Sequence, residues 1–225
     1  MQEKTVAIAI DGPAGAGKST IARKLAEKTG YIYVDTGALY RTVALSISKN
    51  GINPQDVPAV VEHIGRISVD IKYINGEQRV ILNGEDVSNL IRTPEVSMMA
   101  SVTSAIPEVR AFLLGLQRKL AGEHNVVMDG RDIGTVVLPD AKVKIFLTAS
   151  PEVRAKRRYD ELILKGQNVV FSDVLADLIK RDEQDMNRAV APLKPSDESV
   201  IVDTSELDLD GAVLAMENVV KQRLR

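Results

Sequence analysis

An α/β fold on a parallel sheet is predicted for this chain by three observations. Short β-branched apolar runs alternate with longer stretches of helical periodicity. The first such run, residues 5–10 (TVAIAI), passes directly into a glycine-rich loop and then a helical pattern. One block breaks the rhythm: in residues 67–87 apolar and polar residues alternate around two Asn-Gly pairs.

The run at 5–10 has the continuous apolar character of a strand covered on both faces. Residues 11–20 (DGPAGAGKST) follow, and from Gly12 to Ser19 they satisfy G-x-x-x-x-G-K-[ST] at every fixed position. Ile21, Ala22 and Leu25 then recur at helical spacing until Gly30, a residue suited to end a helix. Gly12, Gly15 and Gly17 admit backbone angles closed to other residues, so successive N–H groups can turn inward on an anion. The helix starting near Lys18 adds free N–H groups and the positive end of its dipole. Lys18 brings a mobile charge to the outer phosphates, and the Ser19 hydroxyl suits a Mg²⁺ ligand. The bland alternative is a strand-to-helix turn with an incidental lysine. The flanking strand and helix favour a loop, with Pro13, Ala14, Ala16 and Thr20 in its wall, that binds a nucleoside triphosphate with Mg²⁺.

Four further runs, 31–35 (YIYVD), 126–130 (VVMDG), 144–149 (KIFLTA) and 199–204 (SVIVDT), read as buried strands. With the first they give roughly five parallel strands joined by helical crossovers. Residues 67–87 read as a small antiparallel meander inserted between them. Two helical patterns follow it, restarting at Pro94 and Pro107.

Composition narrows the function. At 225 residues the chain can bury a core as one main domain with small insertions. A net charge of −2 supplies no global basic field to draw nucleic acid, so any arginine cluster must act locally. With no cysteine there are no disulfides, thiolate zinc sites or cysteine nucleophiles. His63 and His124 fit no ligand or triad spacing and read as surface or loop residues. The opening MQEKTVAIAI lacks the apolar region of a signal peptide, and no segment approaches membrane-spanning length. A soluble cytoplasmic protein is expected.

Switches, motors and kinases share phosphate loops. A guanine-reading N-K-x-D is absent, and the only D-x-x-G, residues 208–211, lies in the polar approach to the last helix. A small-molecule kinase requires a second anion site facing the loop. Three stretches offer one. In DTGALYR, Asp35 ends a strand and Tyr40 and Arg41 sit on the next helix. In VVMDGRDIGT, Asp129, Arg131 and Asp132 cluster past the carboxyl end of a strand, where open α/β sheets bind ligands. In FSDVLADLIKRDEQDMNR, Arg181, Asp185 and Arg188 fall on one helical face beside an apolar stripe of Phe171, Leu175, Leu178, Ile179 and Met186. A solvated, salt-bridged surface is the plain reading of that face alone. Asp182, inside the stripe, fits neither reading.

Together DGPAGAGKST, DTGALYR, DGRDIGTVV and RDEQDMNRAVAPL resemble the bacterial cytidylate kinases, in order and spacing, over nearly the whole chain. The resemblance implies a P-loop nucleotide-kinase fold: a five-stranded parallel sheet with flanking helices, a small β-meander insert and a helical lid. It implies a core of residues 1–62 and 104–225, a monophosphate-binding insert at 63–103 and a lid at 151–170. It assigns Arg41, Arg131 and Arg188 to the monophosphate, and Ser101, Arg110 and Asp132 to cytosine. Arg181 with Asp185 would hold the sugar hydroxyls, and Thr36 and Tyr40 would complete the CMP site. In the lid, Arg154, Arg157 and Arg158 would lie over the transferred phosphoryl, Arg157 foremost; otherwise they form an exposed basic face. Lys18, Arg131, Arg157 and Arg188 would then be the catalytic set. Asp129, beside the loop, would anchor Mg²⁺ through water.

The implied reaction is ATP + CMP → ADP + CDP, in a monomer that needs neither nucleic acid nor membrane, and dCMP is expected to serve as well. A phosphate monoester loses its second proton near pH ~6, so the attacking oxygen needs no general base. The nearest rivals are kinases for other small acceptors, of the shikimate or gluconate type; a nucleotide-dependent switch is the rival from another class. If Lys18 neutralises charge gained during transfer, Lys18→Met lowers turnover far more than thermal stability. A folded Lys18→Met protein with near-normal turnover in a coupled ADP assay removes the phosphate-loop reading.

Overall fold

The computed structural model describes residues 5–224. Residues 1–4 and 225, which the sequence reading assigns to the core, lie outside the described residues. The chain divides into two compact units, residues 1–33 with 124–225, and residues 34–123.

In chain order the strands and helices are β1 (Ala7–Asp11), α1 (Lys18–Thr29), β2 (Ile32–Asp35), α2 (Thr36–Lys49) and α3 (Val57–Ile64). There follow β3 (Val69–Ile74), β4 (Glu77–Leu82), β5 (Glu85–Asp86), α4 (Pro94–Thr103) and α5 (Pro107–Glu123). The chain then runs through β6 (Val126–Gly130), a π-helical turn (Ile133–Val137), β7 (Val143–Thr148), α6 (Pro151–Leu164), α7 (Phe171–Asn187), β8 (Val200–Asp203) and α8 (Leu209–Arg223).

The first unit is built on a five-stranded sheet in the order β2-β6-β1-β7-β8. β1 lies at its centre, parallel to β6 on one side and β7 on the other, and β8 runs parallel to β7. Continuous apolar runs explain why these strands are central. Ile8, Ile10, Val127, Ile145 and Leu147 are all but inaccessible, joined by Leu25 of α1 and Met216 of α8. Each such side chain contributes about 1.5–3 kcal/mol relative to an exposed position. α1 closes at Gly30, which takes the left-handed conformation (φ 70) and returns its N–H to Ala26 O. The D-x-x-G at the last helix is a cap: Asp208 accepts the Gly211 N–H at 2.8 Å.

The second unit contains a three-stranded antiparallel sheet, β3-β4-β5, at the position of the predicted meander. Both Asn-Gly pairs form its turns, with Asn75, Gly76, Asn83 and Gly84 all at positive φ. α2 packs against α4, α5 and β4. Pro94 and Pro107 open α4 and α5, as expected of a residue that lacks a backbone N–H. Among the described residues no single helix is long and apolar enough to cross a membrane.

One expectation needs correcting. α7 stops at Asn187, and Arg188 follows in extended backbone (φ −64, ψ 140), so it does not share a helical face with Arg181 and Asp185. The apolar stripe of α7 is only partly covered: Leu178 is buried, whereas Phe171, Ile179 and Met186 are exposed. His63 is half-buried in α3, with Nε2 2.8 Å from Ser46 Oγ. His124 is exposed, as expected.

Gly12 shows how tightly the sheet constrains the loop leaving β1. Its φ is +150, and a Cβ there would lie 2.0 Å from the carbonyl oxygen of Leu147, inside β7. That oxygen belongs to a strand paired on both edges and cannot retreat. Gly12→Ala is therefore expected to destabilise the protein by about 3 kcal/mol or more, read as a lowered thermal midpoint. An unchanged midpoint contradicts this packing.

Candidate active site

The phosphate loop leaves the sheet at the end of β1, where Asp11 lies in register with Gly130 of β6. The two loops that follow, residues 12–17 and residues 131–132, thus start side by side. The loop glycines behave as the motif requires, with Gly15 at φ 72 and Gly17 at φ 85. Gly17 caps α1, its C=O accepting the Ile21 N–H at 3.0 Å. Lys18 is buried and donates from Nζ to Pro13 O at 2.7 Å, across the mouth of the loop. Burial first, and the Arg131 guanidinium second, push its pKa well below the ordinary lysine value. Asp129 and Asp185 act in the opposite direction, and Arg181 adds to the lowering.

Ser19 and Thr20 lie exposed at the start of α1. The Ser19 hydroxyl donates to Asp129 Oδ2 at 2.9 Å, and the Tyr33 hydroxyl donates to Asp129 Oδ1 at 2.9 Å. Arg23 lies 5.2 Å from the Tyr33 ring centroid. A hydroxyl and a carboxylate held together are hard oxygen donors, the set that suits Mg²⁺. Among the described residues no group of three or more His, Cys, Asp or Glu side chains could hold a metal by itself.

Beyond β6 the sequence-selected residues converge. Arg131 Nε donates to Asp185 Oδ2 at 2.9 Å. Arg188 Nη1 lies 3.6 Å from Asp185 Oδ1, and its Nη2 lies 3.6 Å from Asp132 Oδ1. Although Arg188 has left the helix, it is held by its own turn, Nε donating to Ala191 O at 2.5 Å. Burial would raise the Asp185 pKa, but Arg131, with Arg188 and Arg181, outweighs it and holds the carboxyl below its usual range. Arg181 is half-buried.

The second unit carries its own cluster. Asp35 caps α2 by accepting the Ala38 N–H at 2.9 Å and pairs with Arg41 Nη2 at 3.0 Å. Arg41 Nε is buried without a hydrogen-bond partner. Thr36 is buried at the start of α2. Arg110 is buried, with its guanidinium 5.4 Å from the Tyr40 ring centroid and Nη1 donating to Ser104 O at 3.1 Å. Ser101 lies half-buried on α4. Gln78 of β4 grips the Asp35 backbone at both polar atoms, accepting its N–H at 2.8 Å and donating to its C=O at 3.3 Å.

The arginines of α6 are all engaged by protein. Arg154 is buried against Asp182, Arg157 donates to Thr204 Oγ1 and O at 3.1 and 2.8 Å, and Arg158 donates to Glu161 at 2.8 Å.

Four residues of these clusters carry little or no sign of their role in the sequence. Tyr33 orients Asp129, and nothing in an apolar strand marks it. Gln78 sits in the meander with no motif around it. Asp182 did leave a trace, as a charge within an apolar stripe. Asp11 stands directly before the glycine loop; its carboxylate accepts the N–H groups of Ile133 and Gly134 at 2.6 and 2.7 Å, tying β1 to the turn after Asp132.

A glycine-rich loop of phosphate-loop sequence at the carboxyl edge of a five-stranded parallel sheet, beside half-buried arginines paired with buried carboxylates, defines a P-loop kinase. The solved structure of a gluconokinase from Sinorhizobium meliloti has the same fold, at a TM-score of 0.50 and 16% identity, over 99% of this chain and 96% of that one. The family profile for cytidylate kinase matches residues 8–222. The cytidylate kinase of Caldicellulosiruptor bescii is 51% identical over 207 residues, 92% of each chain. That of Carboxydothermus hydrogenoformans is 47% identical, over 96% of this chain and 97% of its own. The chain belongs to the cytidylate kinase family.

Asp11 allows a pH prediction. Burial pushes its pKa from 3.8 up to about 6, against the two N–H groups and Lys18. An acid whose folded pKa is raised binds its proton more tightly when folded, so its stabilising contribution is full below pH ~4 and is lost as pH rises through about 6. Asp11→Asn stays neutral throughout. The stability of the parent relative to Asp11→Asn should therefore fall by about 2–3 kcal/mol between pH 4 and 6.5 in urea titrations. A constant difference across that window rules out a raised Asp11 pKa.

Proposed function

We propose that this member of the cytidylate kinase family transfers the γ-phosphoryl group of ATP to CMP and dCMP by positioning and charge neutralisation alone. The observation that carries the proposal is the register of Asp11 with Gly130, which places the phosphate loop beside the Arg131–Asp132 loop at one edge of the sheet. Two polyanions must be brought together for transfer, and their repulsion is the main obstacle.

Residues 12–20 hold the ATP phosphates through backbone N–H groups and Lys18, whose lowered pKa reflects burial that nucleotide phosphates offset. Ser19, with Asp129 acting through water, would hold Mg²⁺, which when bound would neutralise phosphate charge. Arg41, Arg131 and Arg188 are the acceptor-phosphate ligands. The buried, unpartnered Nε of Arg41 supports that role, since a phosphate oxygen supplies the missing acceptor. Asp185 and Arg181 hold the sugar. Arg157, drawn away from Thr204 when the lid closes, covers the transferred group. The acceptor oxygen is already anionic at neutral pH, and the proposal assigns no side chain as its general base. The proposed enzyme works as a cytoplasmic monomer, without nucleic acid or membrane.

Base choice falls to Asp132, Arg110 and Ser101. Cytosine presents an amine donor beside an unprotonated ring nitrogen; uracil presents a carbonyl beside a ring N–H. An ionised Asp132 only accepts hydrogen bonds and so suits the amine, whereas Arg110 only donates and suits the ring nitrogen and carbonyl. Each mismatch with uracil costs roughly 1–3 kcal/mol. A coupled ADP assay across CMP, dCMP, UMP, AMP, GMP, shikimate and gluconate tests the acceptor class directly. Asp132→Asn, whose amide can donate to the uracil carbonyl, is expected to narrow the CMP/UMP ratio of kcat/KM by at least about tenfold, ~1.4 kcal/mol. Loss of the Asp132–Arg188 pair harms both substrates alike and cancels in that ratio. An unchanged ratio in a folded variant removes Asp132 from base reading.

A further inference from the structure

Asp182, the charge left unexplained within the α7 stripe, is tied to the phosphate loop. Its side chain is 6% exposed and meets Arg154 of α6, 5% exposed, at 2.5 Å. The two do more than neutralise one another. Asp182 Oδ1 accepts the Ala14 N–H at 3.3 Å, and Arg154 Nη1 donates to the Ala14 C=O at 3.0 Å. Arg154 is itself moored at the end of β7, with Nε donating to Ala149 O at 2.8 Å. The next loop residue, Gly15, is packed so closely that a Cβ would lie 3.1 Å from Arg154 Cβ and 3.2 Å from Leu178 Cδ1.

We infer that Arg154 and Asp182 are positioning residues for the phosphate loop, gripping Ala14 by both of its backbone polar groups. The Ala14 N–H and C=O belong to the two peptide planes on either side of its Cα. Holding both fixes φ and ψ at that residue and sets the direction in which the chain enters Gly15. A glycine-rich loop has many backbone states, and its N–H groups converge on an anion only when the preceding angles are set. Gly12 is confined by the backbone of β7, which leaves no room for a side chain, and Lys18 is held in α1, so the freedom of the loop lies between them. Ala14 is where it is removed. Arg154 accordingly acts through the loop rather than on the transferred phosphoryl, because its guanidinium is spent on Asp182, Ala14 and Ala149. The inference rests on the phosphate-loop reading of the proposed function.

A purely structural ion pair between α6 and α7 makes a different prediction, and two variants separate them. Apolar residues can replace a buried ion pair without loss of stability, but they cannot hold a peptide group. Arg154→Met combined with Asp182→Leu removes the grip while filling the space. Arg154→Lys keeps a charge opposite Asp182, but its shorter, compact ammonium lacks the separate Nε and Nη1 donors that serve Ala149 and Ala14. Thermal unfolding, ADP affinity without any acceptor, and the KM values for ATP and CMP are measured for each. A double variant that melts within a few degrees of the parent should bind ADP at least about tenfold more weakly, with ATP KM raised in step and CMP KM within about twofold. Parental ADP affinity in that stable variant overturns the inference. If the double variant fails to fold, Arg154→Lys decides: weakened ADP binding at near-parental stability supports the grip, and unchanged binding overturns it. A parent protein that itself binds no ADP overturns both this inference and the proposed function; failure confined to the variants leaves the latter standing.

Discussion

A buried ammonium organises the first unit. Lys18 is buried at the end of the glycine loop, in the field of Arg131, and burial alone makes its charge costly. That cost is met locally by Pro13 O and by the fields of Asp129 and Asp185. Each of these carboxylates is held by other elements: Asp129 by the Tyr33 hydroxyl, Asp185 by Arg131 and Arg188. The loop after β1, the loop after β6 and the end of α7 are linked through one charge balance.

The same balance explains why the arginines are paired with acids. An unpaired buried guanidinium would have no fixed orientation and would carry its full desolvation penalty. Asp132 and Asp185 hold Arg188 and Arg131 in place while leaving longer, 3.6 Å contacts around Arg188. A phosphate dianion, with more charge and a better geometric match to the guanidinium fork, competes well against such contacts. In the second unit Arg41 is handled differently: one face is fixed by Asp35, which Gln78 secures from β4, and Nε is left without an acceptor.

Much of this was legible in the sequence because it rests on local chemistry. Five apolar runs became the five sheet strands, two Asn-Gly pairs became two turns, and two prolines opened two helices. Arg131, Asp132 and Asp185 were selected by their place after a strand or on a helix, and the fold brings them together with Arg188. What was hidden depends on contacts distant in the chain. Helical periodicity was extended through Arg188, but the chain leaves the helix at Asn187, before Pro192. Tyr33 and Gln78 act on partners 96 and 43 residues away, and no periodicity reports that. Asp182 was noticed only as a violation of its stripe, and its reason lies 168 residues back at Ala14.

The hydrogen bond from Ser19 to Asp129 also settles a question of direction. A serine hydroxyl has one proton and two lone pairs, and an ionised carboxylate can take only the proton. Once that proton points inward to Asp129 Oδ2, the outward face of Ser19 Oγ consists of lone pairs alone. Tyr33 commits its proton to the other carboxylate oxygen in the same way. This corner is therefore electron-rich, a setting that disfavours a bare phosphate oxygen. If the loop holds a phosphate chain as proposed, it would have a built-in polarity, one end suited to negative charge and the other to positive.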